Sequence, residues 1–224
     1  MNQNPIIAID GPAGSGKTTV ARLVADKLGL RYVDSGAMYR AVALRCMRHQ
    51  VTPEDEDRAT EVARSARIQF VPGPSGQMIL LDGEDVSAAI RTPAVTRMVS
   101  PISAISGVRR AMVAEQKRLG ADGGVVMEGR DIGTVVFPNA DLKVFLTASA
   151  DVRARRRCAE MKAAGTQADL EQLAREIQER DRRDSTREDS PLRQANDAVA
   201  VDTDPLTAEQ VADWIVELLR ERER

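Results

Sequence analysis

The sequence predicts an α/β fold in which helices cover both faces of a doubly wound, five-stranded parallel sheet. Five short apolar runs have the continuous hydrophobic character of buried strands, and segments with helical periodicity separate them. The runs cover 6–9, 31–34, 124–128, 143–147 and 198–202. With 224 residues, of which 42% are apolar and 29% charged, the chain can bury a substantial core as one α/β domain with insertions.

Composition argues against several functional classes. A net charge of −2 provides no overall field for nucleic acid or an anionic membrane, and 3% aromatic residues leave few platforms for stacking bases. No apolar run approaches membrane-spanning length, and no signal pattern opens the chain. Cys46 and Cys158 lack metal-ligand spacing, and the single histidine, His49, lies in a polar stretch. We therefore expect a cytoplasmic protein that binds neither nucleic acid nor membrane and does not use histidine catalysis. A monomer is a separate expectation, which composition does not decide.

A phosphate-binding motif follows the first predicted strand. Residues 11–18 match the pattern G-x-x-x-x-G-K-[ST]. The glycines allow backbone N–H groups to close around phosphate oxygens, and the next helix adds positive charge at its N-terminus. Lys17 is expected to reach the β- and γ-phosphates, and the Thr18 hydroxyl to ligate Mg²⁺ together with waters. The residues predicted to bind ATP here are Gly11, Pro12, Ala13, Gly14, Ser15, Gly16, Lys17, Thr18 and Thr19.

The segments after this loop alternate between helix and strand. One helical face carries Val20, Leu23, Val24 and Leu28. Gly29 is a stop signal, and the strand 31–34 follows it. Ser35 is a candidate N-cap for a helix over 36–48, and the polar segment 53–67 also has helical character.

A small antiparallel piece is predicted as an insertion in this alternation. The runs 68–71 and 78–81 flank Pro72-Gly73-Pro74-Ser75-Gly76, which indicates a hairpin with a loop longer than two residues. Residues 82–85 then predict a further turn.

The remaining segments between strands are predicted to be helical. They are 91–119, broken near Pro101 and Gly107, then 151–164, 169–187 and a final helix that opens with a capping box at 207–210. In the final helix, Trp214 belongs to an apolar stripe with Val211, Ile215, Leu218 and Leu219, so packing is its expected role.

The arginines are placed as a phosphoryl transfer site requires, since their planar guanidinium binds phosphate through two bonds and stays charged. Arg40 follows the second strand, Arg109 and Arg110 open a helix, Arg130 follows the third strand, and the others lie on the two late helices. Arg180, Asp184 and Arg187 have the spacing i, i+4, i+7, so they share one face, and Arg153, Arg156 and Arg157 share another.

A second interpretation of the late helices stays open. Glu176, Glu179 and Glu188 would also make them solvated, salt-bridged surfaces. A surface role is favoured for Arg155, Arg182 and Arg183.

Two polar segments directly follow predicted strands, where ligands bind in open α/β sheets. They are Asp34-Ser35-Gly36-Ala37 and Gly129-Arg130-Asp131-Ile132-Gly133. The alternative for the second segment is a polar turn in which Arg130 and Asp131 pair with each other.

Taken together, these stretches resemble the bacterial cytidylate (CMP) kinases over the whole chain. The resemblance rests on Ile9–Pro12, Asp34–Arg40, Gly83–Val86, Gly129–Pro138, Glu179–Arg187, Pro191–Leu192 and Asp197–Ala198. It implies a three-layer P-loop nucleoside monophosphate kinase fold with a small mixed α/β acceptor-binding insertion and a short helical lid. The implied boundaries are a core of about 1–34, 103–150 and 172–224, an insertion of about 35–102 and a lid of about 151–171.

The resemblance also implies an activity and residue roles. The family transfers the γ-phosphoryl group of ATP to CMP or dCMP with Mg²⁺. By position, Ser35, Ser100, Arg109 and Asp131 would read the cytosine, Arg40, Arg130 and Arg187 would hold the acceptor phosphate, Arg180 and Asp184 would contact the sugar, and Arg153, Arg156 and Arg157 would close over ATP. Lys17, Arg130, Arg156 and Arg187 are the catalytic candidates. Glu128 stands where some relatives have Asp, so it would order a Mg²⁺-bound water rather than ligate the ion.

The residues alone leave rival functions open. The acceptor could be UMP, shikimate or a coenzyme precursor, because the phosphate loop reports only on the donor. A GTPase-like nucleotide switch is a second alternative, although the chain lacks the Asn-Lys-x-Asp pattern of guanine recognition. An ATP-dependent nucleic-acid-binding protein is disfavoured by the slight net acidity and the scarcity of aromatic residues.

Overall fold

The computed structural model describes residues 4–73, 76–163, 165 and 169–222. In chain order its elements are β1 (Ile6–Asp10), α1 (Lys17–Leu28), β2 (Arg31–Asp34), α2 (Ser35–Arg48), α3 (Glu56–Ser65), β3 (Ile68–Gly73), β4 (Gly76–Leu81), β5 (Glu84–Asp85), α4 (Pro93–Ala104), α5 (Ser106–Leu119), β6 (Val125–Gly129), β7 (Leu142–Thr147), α6 (Ala150–Ala163), α7 (Leu170–Thr186), β8 (Val199–Asp202) and α8 (Ala208–Arg222). A short 3₁₀ turn covers Ala89–Arg91, and one turn of π-helix covers Ile132–Val136.

The chain divides into two compact units. The core unit comprises Met1–Tyr32 and Gly120–Arg224, and the insertion unit comprises Val33–Leu119. The finer boundaries given above for core, insertion and lid stay predictions.

The main sheet confirms the predicted five-stranded α/β architecture. Its strand order is β2-β6-β1-β7-β8. β1 runs parallel to both β6 and β7, and β7 runs parallel to β8. Ile7 lies between Val126 on one side and Leu142 on the other, and all three are fully buried. Strands buried on both faces explain why these segments are continuously apolar.

Helices α1 and α8 pack together on the core of this sheet. Val20 and Val24 of α1 belong to the same buried cluster as Ile215 and Leu219 of α8. The predicted capping box is confirmed, since the Thr207 hydroxyl and the Gln210 side chain each accept a bond from the other's backbone N–H.

The place predicted for Trp214 in the buried stripe of α8 is wrong. Its surface is 40% exposed, whereas Val211, Ala212, Ile215 and Val216 are buried. The buried stripe of α8 is therefore centred nearer to Ala212 and Val216, and it leaves the indole at its edge.

The insertion unit contains the predicted antiparallel piece, with two corrections. β3 and β4 pair as far as Gly73, which lies opposite Gly76, so the prediction of a loop longer than two residues is wrong. Only positions 74 and 75 separate the two strands, and they lie outside the described residues. Asp82 and Gly83 make the next turn with positive φ angles of 52° and 89°. Glu84 and Asp85, predicted as part of that turn, instead form the strand β5 against β4.

Two predicted helix boundaries are also wrong. Asp34, not Ser35, is the N-cap of α2, because its extended backbone lets the carboxylate accept the Ala37 N–H at 2.9 Å. The break in 91–119 falls at Ile105, which has extended backbone angles, so the break predicted near Gly107 is confirmed and the one predicted near Pro101 is wrong. Pro101 lies inside α4, close enough to its end at Ala104 that the lost N–H bond affects only the last turn.

The other predicted helices agree with the structure to within a few residues. Position 164, the predicted end of α6, lies outside the described residues. Over the part of the chain that is described, no helix has the length and apolar character needed to cross a membrane.

Candidate active site

The phosphate loop connects β1 to α1 through backbone that only glycine adopts easily. Gly11 has a φ of 151°, and a Cβ there would lie 2.2 Å from the Leu146 carbonyl oxygen of β7. Gly16 caps α1 in a left-handed conformation with a φ of 87°. The first N–H groups of α1 have no partner within the helix, so they are available to an anion beside the loop.

Lys17 is buried at the first position of α1, with 5% of its surface exposed. Its Nζ donates to the Pro12 carbonyl at 2.7 Å and approaches Ser15 Oγ at 3.5 Å. Burial lowers the pKa of Lys17 to about 7, Arg130 acts in the same direction, and Glu128 opposes it. A bound triphosphate would return the ammonium to its charged form by supplying the missing negative charge.

The residues near Lys17 fit a magnesium ion that is held mainly by phosphate and water. Thr18 follows Lys17 in the first turn of α1 and is exposed. Glu128, at the end of β6, is 4% exposed and accepts a hydrogen bond from the Tyr32 hydroxyl. Both groups offer hard oxygen ligands, as Mg²⁺ prefers. Among the described residues no group of three His, Cys, Asp or Glu side chains could hold a metal by itself.

Three arginines surround Asp184 in the core unit. Arg130 Nε donates to Asp184 Oδ2 at 3.0 Å, Arg187 lies 3.8 Å from Oδ1, and Arg180 lies 4.0 Å from Oδ2. Burial alone would raise the pKa of Asp184, but the three guanidinium groups together hold that pKa below its usual range. The predicted grouping of Arg180, Asp184 and Arg187 is thus present, and α7 ends at Thr186 so that Arg187 is its C-cap.

Asp131 adds a second carboxylate to this cluster. It lies 3.8 Å from Arg187, and both side chains are less than a tenth exposed. Arg130 pairs with Asp184 rather than with its neighbour Asp131, so the alternative of a self-paired polar turn is wrong. Three guanidiniums against two carboxylates leave the cluster with positive charge for an anion. Arg130 and Arg180 both lower the pKa of Lys17, so this charge lies near the phosphate loop.

The turn beside this cluster is held by a residue that was not predicted from the sequence as part of the site. Asp10, at the end of β1, accepts the Ile132 N–H at 2.9 Å and the Gly133 N–H at 2.7 Å. It thereby fixes the π-helical turn that follows Arg130 and Asp131. A carboxylate that ends a wholly apolar strand, directly before a glycine loop, was the available signal.

Two of the three predicted ATP-side arginines on α6 contact the phosphate loop. Arg153 donates to the Ala13 carbonyl at 3.1 Å and pairs with Asp181 of α7 at 2.6 Å. Arg156 donates to Thr203, and its NH1 lies 3.5 Å from the Gly14 carbonyl. Asp181 and Thr203 were not singled out from the sequence: Asp181 lies within the stretch Glu179–Arg187 but was given no role, and no motif marks Thr203.

The third arginine differs from its predicted partners. Arg157 pairs with Glu160 on its own helix at 3.1 Å, and its side chain is 46% exposed. Arg157 shares a helix face with Arg153 and Arg156, but within the described part of the chain it makes no contact with the phosphate loop. Its role in ATP binding stays a prediction.

The remaining predicted acceptor residues belong to the insertion unit. Arg40 NH1 donates to Thr96 Oγ1 at 2.9 Å and to the Ile90 carbonyl at 3.2 Å. Arg109, 2% exposed, donates to the Ser103 carbonyl, and its guanidinium lies over the Tyr39 ring. Ser35 is buried in the first turn of α2, and Ser100 is half-buried in α4. Their roles in base and phosphate binding stay predictions.

Comparison with known proteins identifies the family. A family model described as cytidylate kinase matches residues 7–221. A bifunctional pantoate ligase/cytidylate kinase of Synechocystis is 53% identical over 219 residues, which are 96% of this chain and 43% of that protein. A cytidylate kinase of Lysinibacillus sphaericus is 46% identical over 222 residues, 99% of either chain.

A solved structure supports the fold alone. Shikimate kinase from Acinetobacter baumannii, in complex with shikimate, superposes with a TM-score of 0.50 at 18% identity, covering 98% of this chain and 95% of that chain. The chain spans less than half the length of the bifunctional relatives, 43% in the Synechocystis case. The family model covers nearly all of the described core and insertion units. The chain therefore belongs to the cytidylate kinase family.

Proposed function

We propose that this chain transfers the γ-phosphoryl group of ATP to CMP or dCMP and releases ADP with CDP or dCDP. The observation that carries the proposal is the pairing, within the core unit, of a phosphate loop with a separate cluster of three arginines. Each of the two features suits one phosphate group, as a donor and a phosphorylated acceptor require. The match to the cytidylate kinase family over residues 7–221 supports cytidine as the base of the acceptor.

The proposed mechanism is positioning with charge neutralisation. An oxygen of the acceptor phosphate attacks the γ-phosphorus, and the bond from that phosphorus to the bridging oxygen of ADP breaks with its electrons leaving on ADP. The acceptor phosphate is already anionic near neutral pH, so no strong general base is needed. Lys17 and the N-terminus of α1 bind the donor phosphates, while Arg130 and Arg187 hold the acceptor phosphate.

The carboxylates of the cluster orient its arginines. Asp184 accepts a hydrogen bond from Arg130, and Arg187, with Asp131 3.8 Å away, donates to the Ser190 carbonyl at 2.8 and 2.6 Å, so these two guanidiniums are directed before the substrate arrives. Asp184 and Arg180 are also assigned to the sugar hydroxyls of the acceptor. Ser35, Ser100, Arg109 and Asp131 are assigned to the base, and Arg40 to the acceptor phosphate.

The proposal extends to the cofactor and the setting of the reaction. Mg²⁺ would bind through Thr18 and waters ordered by Glu128, and it would supply charge neutralisation at the β- and γ-phosphates. We place the chain in the cytoplasm, where ATP and nucleoside monophosphates occur and where the thiols of Cys46 and Cys158 stay reduced. We further propose that it acts as a monomer on small molecules and binds no nucleic acid.

A panel of acceptors tests the assignment. ADP release is measured with CMP, dCMP, UMP, AMP and shikimate at equal concentrations, with ATP and Mg²⁺ as donor. We expect CMP and dCMP to exceed UMP by roughly tenfold or more in kcat/KM, because a buried site built for one base rejects an analogue that leaves its polar groups unpaired. Equal rates for CMP and UMP would contradict the cytidine assignment. Tight GTP binding without acceptor-dependent turnover would instead favour a nucleotide switch.

A further inference from the structure

Thr203 lies directly after β8 and joins separate segments of the core unit. The residue is 3% exposed. Its Oγ1 lies 3.0 Å from the Thr147 carbonyl at the end of β7 and 3.3 Å from the Ser15 carbonyl in the phosphate loop. Its backbone N–H donates to the same Thr147 carbonyl at 2.9 Å. Thr203 is therefore held in place from two sides.

Arg156 uses both of its terminal nitrogens on this one residue. NH1 donates to Thr203 Oγ1 at 3.0 Å, and NH2 donates to the Thr203 carbonyl at 2.7 Å. A hydroxyl has one proton and two lone pairs, so Oγ1 can accept from Arg156 while it donates to the Thr147 or the Ser15 carbonyl. The guanidinium is thus attached to a group that is itself fixed against the loop.

These contacts restrict a side chain that would otherwise be mobile on a surface helix. A long side chain samples many rotamers and loses that freedom when it binds phosphate. The neighbouring Arg155 is exposed, and Arg157 pairs with Glu160 on its own helix. Of these three consecutive arginines, Arg156 has contacts that direct it to the Gly14 end of the phosphate loop.

We propose that Thr203 is a positioning residue for Arg156, whose guanidinium it holds at the phosphate loop to meet the triphosphate of ATP. The inference rests on the proposed kinase function, in which Arg156 acts on the donor side. Thr203 itself touches no reacting atom. Thr203 restricts the side chain of Arg156 before ATP binds, so Arg156 loses less conformational entropy on binding.

A double-mutant cycle on Thr203 and Arg156 tests this role. Binding of an imido-bridged, non-hydrolysable ATP analogue is measured by calorimetry for the wild type, Thr203→Val, Arg156→Ala and the double variant. Valine keeps the shape of threonine but loses the hydroxyl. We expect Thr203→Val to weaken binding about tenfold, the effect of one charge-assisted hydrogen bond. In the Arg156→Ala background the same change should cost less than about twofold, because the two residues act as one unit.

Conservative variants separate positioning from folding. Thr203→Ser keeps the hydroxyl and should bind the analogue within about twofold of wild type. Arg155→Ala is the matched control for Arg156→Ala and should bind as wild type does. Arg156→Lys keeps the charge but offers one nitrogen to Thr203, so it should bind at least about fivefold more weakly even if Thr203→Val fails to fold.

Several outcomes would overturn the proposal. They are wild-type binding by Thr203→Val or Arg156→Lys, and a full, additive effect of Thr203→Val in the Arg156→Ala background. The analogue titration needs no acceptor. If CMP were not phosphorylated, the proposed function would fail while the cycle would still decide the role of Thr203.

Discussion

Asp10 allows the electrostatics of the core unit to be measured. Its carboxylate is 5% exposed and accepts two backbone N–H groups from the turn after Asp131. Burial raises the pKa of Asp10 from 3.8 to about 6, while the N–H groups of Gly133 and Ile132 lower it and the charge of Asp131 raises it further. We predict that replacing Asp10 by asparagine changes the pH dependence of stability in a defined direction.

The sign and size follow from proton linkage. A raised pKa means that the folded chain binds this proton more tightly than the unfolded chain does. The stability contributed by that proton is present in full only below about pH 3.8 and is lost as the pH rises through about 6. The whole difference corresponds to about 3 kcal/mol, and roughly 1 kcal/mol of it is lost between about pH 5 and about pH 7.

Urea unfolding of the wild type and Asp10→Asn at several pH values measures this loss. Asparagine keeps one acceptor oxygen, so one turn N–H loses its partner at every pH, which adds a constant offset. The free energy of unfolding of the wild type minus that of the variant should therefore fall by roughly 1 kcal/mol from about pH 5 to about pH 7. Lys17 titrates nearby, and the same comparison in a Lys17→Met background removes its contribution. A difference that does not vary with pH would refute the reasoning.

Two further predictions concern the proposed activity. Lys17→Ala should lower kcat by roughly 100-fold or more, because it removes the main cation of the donor site, while the unfolding midpoint stays near that of the wild type. Steady-state kinetics with CMP measures this effect, and wild-type turnover would exclude the assigned role. Arg187→Ala should raise the KM for CMP by about tenfold and leave the KM for ATP within about twofold, since its charge serves the acceptor phosphate. Arg183→Ala, whose side chain is 51% exposed and pairs with Glu179, is the matched control, and an equal effect of both variants would count against the assignment.

The features that the sequence predicts well depend on neighbours along the chain. The strand–loop–helix context of the phosphate motif is present from β1 to α1, and α1 ends at the predicted stop, Gly29, which has a left-handed conformation. The capping box at Thr207 is a relation between residues three positions apart. Helical periodicity likewise places Arg180 and Asp184 on one face, as the structure has them. Such relations follow from backbone geometry alone.

Local patterns fail where two local signals compete. Ser35 and Asp34 are both good N-cap residues, and the carboxylate that reaches the Ala37 N–H decides the start of α2. Pro101 is a strong break signal, yet α4 continues past it to Ala104. Trp214 fits an apolar stripe whose centre shifts by one residue once α8 packs on α1.

What the sequence by itself determines about this protein is its α/β class, its phosphate loop and the positions of its arginines. The tertiary structure decides which charge each arginine meets. Arg130 pairs with Asp184 across 54 positions, and Asp10 binds Gly133 across 123. Such distant pairs depend on strand register and helix packing, which short-range periodicity does not predict. Only the folded core unit therefore decides which arginines pair with carboxylates of the protein and which positive charge is available to phosphate.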